Sequence, residues 1–422
     1  MLCLALSLSV LGTAGTAGGT NALYRIPVAD SSNPPMVATN LSAAALSDGA
    51  VCLDGTPAFY YFRPGSGTGS NKWYLHHKGG GWCESLDDCL SRSLGSGGSS
   101  KGYPPTQVIT DGPTTMPGPY SRNQTDNPMM HNWNTVWMPY CDGASFSGSN
   151  ATATVHKGAP LHFRGFRILR AIIASLLAGE QAGPAQAKLS DATDVVVSGE
   201  SAGGLAAILH LDTWCDAVHA ASPQAKCVGL PDSGFFMDYQ DPTVPPQPPA
   251  PPPGGRLQTT VPGDYRAGLI WVHEAQNATA GLNAACVAAH PTAPWMCMFS
   301  QHSIPVTRTP MFAMQSTYDA WQVAHVLKNA PGEHFAPPAM VQVFGNNLTA
   351  TLTSTMLETH PENGVFLDSC LHHCAEWNLI RIDGDLISGA FQKWYDGIGV
   401  RGSKKAWIQG QPYPCVSCCK NA

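Results

Sequence analysis

The chain carries little charge for its length, which limits the classes of protein to which it can belong. Only 12% of its 422 residues are charged, with 23 Lys and Arg against 29 Asp and Glu, so the net charge is −6. No cluster of Lys or Arg could follow a phosphate backbone, which argues against nucleic acid as a partner. The 43% hydrophobic content is enough to bury a large core, so a disordered chain is also excluded.

Long apolar runs are missing as well. The run at residues 2–11 is too short to span a membrane, and no later segment is long enough to do so. Small residues follow it at 12–17, as in a secretory signal peptide and its cleavage zone. We expect residues 1–18 to be a signal peptide and 19–422 to form the mature protein. A buried N-terminal helix or strand is the alternative.

Cysteine, by contrast, is abundant. Fourteen cysteines are many for a cytosolic enzyme and favour an oxidising, secretory environment. Close spacing suggests local disulfides for Cys83/Cys89, Cys215/Cys227 and Cys286/Cys297. Thirteen cysteines remain after loss of Cys3, so we expect one tail cysteine, among Cys415, Cys418 and Cys419, to be left over. Five glycosylation sequons point the same way and lie at Asn40, Asn123, Asn150, Asn277 and Asn347.

Apolar runs with strand character alternate with helical patterns along the chain. Strand-like runs cover 58–63, 72–76, 135–140, 194–197, 310–314 and 364–367, and helical patterns cover 163–177 and 386–395. Strands that alternate with helices form mostly parallel sheets covered on both faces. We therefore predict an α/β fold, a mostly parallel sheet flanked by helices in one domain. Prolines make residues 241–256 extended, and we expect a surface insert there.

One segment combines a fold signal with a chemical signal. Residues 193–210 read as a buried strand, a tight Gly-Glu-Ser-Ala-Gly turn around Ser201 and an apolar helix. This is how α/β-hydrolases present a nucleophilic serine. The pattern occurs a second time around Ser100, but there it lies in a glycine- and serine-rich loop with no strand before it. The context therefore favours Ser201 and indicates a plain loop at Ser100.

A serine nucleophile also needs donors for the oxyanion, an acid and a base. Three glycines at 79–81 directly follow a predicted strand, where backbone N–H groups could approach a ligand; a plain glycine turn is the alternative. Asp319 follows another strand, at the sheet edge where catalytic groups collect, although it could simply cap a helix.

The base is ambiguous from the residues alone, because His372 and His373 are adjacent. A zinc site of Cys370, His372, His373 and Cys374 is a further alternative, but the spacing is unusual and reduced thiolates do not suit a secreted chain. The earlier pair His76/His77 is expected to be structural or pocket-lining.

Seven ordered blocks together resemble the pectin acetylesterase family, which also contains the animal carboxylesterase Notum. They lie at 79–83, 140–148, 161–165, 198–204, 232–236, 318–322 and 369–374. The resemblance implies an α/β-hydrolase fold, secretion and a triad of Ser201, Asp319 and His373. It also implies oxyanion donors at the N–H groups of Gly81, Trp82 and Ala202. Departures from the plant pattern are Lys78 in place of glutamate, Glu200 in place of cysteine, and the proline-rich insert.

The resemblance implies a secreted serine carboxylesterase that hydrolyses O-acetyl esters of a cell-wall or matrix polysaccharide such as pectin. Such a reaction needs no cofactor and no metal, and we expect a monomer. One alternative is a deacylase that removes a longer acyl chain from a protein, as Notum does. An alternative of another class is a carbohydrate-binding relative without catalysis.

Overall fold

The computed structural model describes residues 33–111, 117–183, 187–239, 265–327, 336–374, 377–415 and 418–419. The strands in these ranges are β1 (Met36–Asn40), β2 (Phe59–Arg63), β3 (Lys72–His77), β4 (Thr106–Gln107), β5 (Asn134–Met138), β6 (Thr154–His156), β7 (Ala159–Leu161), β8 (Asp194–Glu200), β9 (Lys226–Asp232), β10 (Phe312–Ser316), β11 (Gly364–Asp368), β12 (Arg381–Ile382), β13 (Asp385–Leu386) and β14 (Ala406–Ile408). All six strand-like runs of the sequence are strands, with ends that differ by one to three residues.

One large sheet organises the fold. Ten of the described strands pair in the order β14-β11-β10-β9-β8-β3-β5-β2-β1-β4. From β14 to β5 every neighbouring pair is parallel, whereas β5–β2, β2–β1 and β1–β4 are antiparallel. The prediction of a mostly parallel sheet is therefore confirmed, with an antiparallel extension at one edge. The described strands also form two small ribbons, β6–β7 and β12–β13.

The sheet is apolar on both faces because helices cover both. Side chains alternate between faces along each strand, so neighbouring residues enter different cores. Leu75 and Val195 lie in the larger hydrophobic cluster, whereas Tyr74 and Val196 lie in the smaller one on the opposite face. Strands β5, β10 and β11 are buried along their whole length, as expected of strands covered on both sides.

Helices connect most of these strands. The described ones are α1 (Ser42–Ser47), α2 (Leu86–Ser93), α3 (Gly165–Ala178), α4 (Ala202–Leu209), α5 (Leu211–Ala221), α6 (Tyr265–Ala275), α7 (Ala284–Ala289), α8 (Ser300–Ser303), α9 (Ala320–His325), α10 (Pro338–Thr353) and α11 (Ile387–Gly397). The helices predicted at 163–177 and 386–395 are α3 and α11. Helix α3 ends at Gly179, whose left-handed φ of 76° closes the last turn.

The three predicted local disulfides are present. The described chain also contains Cys52–Cys141, which joins residues 89 apart, and two disulfides at the tail, Cys370–Cys419 and Cys415–Cys418. The expectation that a tail cysteine is left over is wrong, because all three tail cysteines are bonded. Among the described cysteines, the one outside these six disulfides is the buried Cys374, next to His373.

Two expectations fall outside the described residues, namely the signal peptide at 1–18 and the proline-rich insert at 241–256. In the part of the chain that the structure describes, no helix is long and apolar enough to cross a membrane.

Candidate active site

Ser201 lies on a sharp turn between β8 and α4. Its φ of 57° and ψ of −125° are unusual for a residue with a side chain, and its N–H donates to Asp232 O at 2.9 Å. The residues on both sides of Ser201, at 199 and 203, must be glycine because the backbone of the turn lies against the backbone of His77 and Lys78. A Cβ at Gly199 would lie 2.7 Å from His77 O, and one at Gly203 would lie 2.7 Å from the carbonyl carbon of Lys78. The strand–turn–helix predicted around Ser201 is therefore present.

The three predicted triad residues meet at the carboxyl edge of the sheet. Ser201 Oγ lies 2.8 Å from His373 Nε2, and His373 Nδ1 lies 2.8 Å from Asp319 Oδ2. With Nδ1–H donating to the carboxylate, the lone pair of Nε2 can accept the serine proton. Ser201 is only 6% exposed, and Asp319 is fully buried. The arrangement therefore couples a hydroxyl, an imidazole and a carboxylate in a largely dry site.

Asp319 has two functions in the fold. Its Oδ1 accepts the Gln322 N–H at 2.9 Å and so caps α9, while its Oδ2 also accepts Gln315 Nε2 at 2.9 Å. Helix capping was the alternative to a catalytic role in the sequence. The cap is present and uses Oδ1, whereas the contact with His373 uses Oδ2, so capping is compatible with the predicted role as the triad acid.

The geometry separates the two adjacent histidines. His372 Nε2 lies 3.0 Å from Asp368 Oδ2, whereas His373 contacts Asp319 and Ser201. Only His373 therefore joins a carboxylate to the serine. The zinc alternative fits poorly, because Cys370 is held in a disulfide with Cys419 and offers no thiolate.

The glycine loop after β3 faces Ser201. Gly80 and Gly81 have φ of 149° and 66°, values that favour glycine. Arg92 Nη2 donates to Gly80 O, and the Tyr140 hydroxyl donates to Gly81 O at 2.8 Å. In a trans peptide the C=O and the following N–H point in opposite directions. These two bonds therefore turn the N–H groups of Gly81 and Trp82 away from Arg92 and Tyr140.

The predicted oxyanion donors are backbone N–H groups of the glycine loop and of the first residue of α4. Within the described residues, no protein acceptor is bonded to the N–H of Gly81, Trp82 or Ala202. Ala202 is the first residue of α4, where the helix dipole favours negative charge. Burial raises the pKa of Tyr140, so its hydroxyl keeps the proton that it donates to Gly81 O.

Ser145 links this loop to the nucleophile turn. Its Oγ accepts Trp82 Nε1–H at 2.8 Å and donates to Ala202 O at 2.7 Å. Sequence reasoning assigned no role to Arg92, Tyr140 or Ser145. Tyr140 and Ser145 lie in one of the seven resemblance blocks, which was the available signal, whereas Arg92 had none.

Most of the chain matches one known protein family. The family model described as Pectinacetylesterase matches residues 30–420. The chain belongs to the pectinacetylesterase family. Pectin acetylesterase 5 of Arabidopsis thaliana is 32% identical over 94% of this chain and 89% of its own length, and pectin acetylesterase 11 of the same plant is 32% identical over 81% of each. The palmitoleoyl-protein carboxylesterase NOTUM of Drosophila melanogaster is 27% identical over 90% of this chain and 52% of its own length.

Membership of the pectinacetylesterase family makes the protein a carboxylic ester hydrolase with an α/β-hydrolase-like fold. The family assignment inferred from the seven sequence blocks is confirmed, as is the fold class. The named relatives cover both the acetylesterases and the longer-chain deacylases that the sequence left as alternatives.

Large aromatic rings bound one side of the candidate site. Trp82, Phe236 and Trp321 contact one another edge to face, with centroids 4.8 to 5.6 Å apart. The rings of Phe236 and Trp321 each lie 6.3 Å from that of His373, and Tyr265 continues the wall behind Trp321. The space beside the histidine is thus bounded by large, mutually packed side chains.

His76 and His77 have different environments. His77 is fully buried, donates from Nδ1 to Ser198 O at 2.8 Å and accepts Trp214 Nε1–H at 3.1 Å, and burial lowers its pKa to about 3. His77 is therefore a neutral structural residue. His76 lines a small polar cavity with Tyr74 and His372. Both agree with the expected structural or pocket-lining roles.

Proposed function

We propose that this protein is a secreted serine esterase that removes O-acetyl groups from a cell-wall or matrix polysaccharide such as pectin. The observation that carries the proposal is the contact chain from Ser201 Oγ through His373 to Asp319, each link 2.8 Å long. The N–H groups of Gly81, Trp82 and Ala202 have no protein acceptor among the described residues, which supports their proposed role as oxyanion donors. All of these groups come from one chain, which supports a monomer as the catalytic unit.

In the first half of the reaction, Ser201 Oγ attacks the ester carbonyl and His373 Nε2 takes the hydroxyl proton. The new imidazolium is stabilised by the carboxylate of Asp319, which stays ionised. The N–H groups of Gly81, Trp82 and Ala202 receive the oxyanion. As the tetrahedral intermediate collapses, His373 returns the proton to the sugar oxygen, which leaves as a hydroxyl group.

In the second half, water replaces the sugar. His373 takes a proton from the water, whose oxygen attacks the acyl-enzyme carbonyl. The same donors receive the second oxyanion, and the proton returns to Ser201 Oγ as acetic acid leaves. Because the donors lie in a buried site, their stabilisation of the oxyanion is greater than it would be in water.

Two observations favour acetyl as the acyl group. The rings of Trp82, Phe236 and Trp321 pack against one another next to His373, and we propose that this wall restricts the acyl group to a short chain. Several of the named relatives are pectin acetylesterases. The NOTUM match makes a protein deacylase the second candidate, and the complete Ser–His–Asp set argues against a binding protein without catalysis.

Six disulfides within the described residues support maturation in an oxidising compartment, which is the basis for proposing secretion and a cell-wall location.

The test is acetate release from a panel of acetylated polysaccharides by the wild type and by Ser201→Ala, with a palmitoleoylated peptide as the competing substrate. We expect acetate release from at least one polysaccharide and a loss of at least about three orders of magnitude in Ser201→Ala. Wild-type activity in Ser201→Ala would overturn the mechanism. Faster turnover of the peptide than of every polysaccharide would favour the deacylase.

A further inference from the structure

Glu200 connects the nucleophile turn to the glycine loop. It is the last residue of β8 and directly precedes Ser201. Its Oε1 accepts the Gly79 N–H at 2.8 Å, across 121 residues of sequence, and its Oε2 contacts His76 Nε2. The side chain is 20% exposed, so the carboxylate is largely withdrawn from solvent. A single side chain therefore contacts both the loop and the strand that leads to it.

The two backbones are also in direct contact at this point. A Cβ on Gly79 would lie 2.9 Å from Ser201 Cβ and closer still to Glu200 O. The loop is therefore seated against the turn, and its distance from Ser201 is fixed by how Gly79 is held. Its neighbours Gly80 and Gly81 have great backbone freedom, so restraints on this segment must come from outside it.

His76 holds the Glu200 carboxylate in its orientation. The imidazole is 5% exposed, and its Nδ1 lies 2.9 Å from the Tyr74 hydroxyl. Tyr74 in turn lies 3.3 Å from Ser198 Oγ, which donates to Leu230 O at 2.7 Å. In its Nε2–H tautomer, His76 donates to Glu200 Oε2 and leaves Oε1 for the Gly79 N–H. The carboxylate is thus oriented by groups on β3, β8 and β9.

We infer that Glu200 is a positioning residue for the oxyanion donors, which it aligns with Ser201 by holding the Gly79 N–H. The inference rests on the proposed Ser201 mechanism. The glycine loop is held at three successive residues, by Glu200 at the Gly79 N–H, by Arg92 at Gly80 O and by Tyr140 at Gly81 O. Of these three side chains, only Glu200 adjoins the nucleophile in sequence.

Misplaced donors should act on turnover more than on substrate binding. The oxyanion exists only in the transition state and the tetrahedral intermediate, so its donors contribute to kcat and little to KM. Loss of one oxyanion donor typically reduces kcat by about 10²- to 10³-fold. Loss of a group that only positions the donors should cost less, about 10- to 100-fold.

The experiment compares Glu200→Ala, Glu200→Gln and the control Glu362→Ala. Glutamine keeps an oxygen for the Gly79 N–H, and its amide can donate to His76 once that ring takes the other tautomer. Glu362 is a matched control because its side chain is also partly buried, at 31% exposed, and its Oε2 accepts a glycine N–H, that of Gly399, at 3.1 Å. It lies just before β11, at the amino ends of the parallel strands, whereas the candidate site lies at their carboxyl ends.

The readouts are kcat and KM for p-nitrophenyl acetate, and the melting temperature. We expect Glu200→Ala to lower kcat about 10- to 100-fold with KM within about threefold of wild type, and Glu200→Gln to restore kcat to within about fivefold. The Glu362→Ala control should keep wild-type kcat. A kcat of Glu200→Ala within twofold of wild type, or a glutamine variant as slow as the alanine variant, would overturn the inference. Ser201→Ala in the same assay tests the proposed mechanism separately, because its full activity would refute the mechanism whatever Glu200 does.

Discussion

Replacing Asp319 by asparagine tests the contact between Asp319 and His373, because it exchanges one carboxylate oxygen for an NH2 group and leaves the shape of the side chain nearly unchanged. The Asp319 carboxylate is fully buried and accepts three hydrogen bonds, from Gln322 N, Gln315 Nε2 and His373 Nδ1, at 2.8 to 2.9 Å. In Asp319→Asn, Oδ1 can still accept from Gln322. The amide nitrogen then replaces Oδ2 and faces two donors, Gln315 and His373.

A change in the tautomer of His373 removes this clash of donors at the lowest cost in free energy. If His373 Nδ1 loses its proton, it can accept from the new amide, but Nε2 then carries the proton and faces Ser201 Oγ. The imidazole can no longer accept the serine proton. In serine hydrolases the equivalent substitution lowers kcat by about 10⁴-fold, or about 5 kcal/mol of barrier. We expect a loss of this order in Asp319→Asn.

The assay is kcat for p-nitrophenyl acetate, with the melting temperature as a check on folding. Asp368→Asn is the matched control, because Asp368 is also a buried carboxylate next to an imidazole, that of His372 at 3.0 Å. It should keep kcat within about tenfold of wild type. Two results would refute the assignment of Asp319 as the acid and His373 as the base. One is an Asp319→Asn variant that retains more than a tenth of the wild-type kcat, and the other is an Asp368→Asn variant that loses more kcat than Asp319→Asn does.

Three further predictions concern the acyl group, pH and glycosylation. Trp321→Ala should open the aromatic wall, so that kcat/KM for octanoate esters rises by about tenfold or more relative to kcat/KM for acetate esters. An unchanged ratio would show that the wall does not determine acyl specificity. Burial lowers the pKa of His273 to about 4, so its stabilising contribution is present above pH 6.5 and declines as the pH falls towards 4. Between pH 6 and 5, the free energy of unfolding measured in urea should therefore fall by about 1 kcal/mol per pH unit more in wild type than in His273→Gln. An equal fall in the two proteins would contradict this. The Asn150 Nδ2 donates to Ala275 O, so we expect this sequon to carry no glycan. Peptide mass spectrometry of protein from secreting cells should find glycans only at the four exposed sequons, Asn40, Asn123, Asn277 and Asn347. A glycan on Asn150 would contradict this.

Local signals in the sequence were sufficient for the nucleophile. The strand, the glycine turn and the helix around Ser201 are contiguous in sequence, so hydrophobic pattern and turn chemistry predict them together. Five of the seven described strands in the parallel part of the sheet were predicted from hydrophobic pattern in the same way, whereas β9 and β14 were not predicted. The short edge strand β4 carried no comparable signal, and the antiparallel pairing of β1 and β2 depends on contacts across the sheet.

Contacts between distant segments could not be read from the sequence. The choice between His372 and His373 depends on which imidazole reaches Asp319, and chemistry alone left it open. The contact of Glu200 with Gly79 exists because β3 and β8 are parallel neighbours whose ends come together. Likewise, the disulfide Cys52–Cys141 joins residues 89 apart, and the tail cysteines are bonded because the tail returns to Cys370.

The central claim is that Ser201 carries the acyl group during turnover. The most direct measurement is peptide mass spectrometry after acid quenching during hydrolysis of p-nitrophenyl acetate. We predict one added acetyl group on the peptide that contains Ser201, and none on that peptide in Ser201→Ala. Acetylation of a different residue at the turnover rate, or steady hydrolysis by Ser201→Ala, would contradict the account.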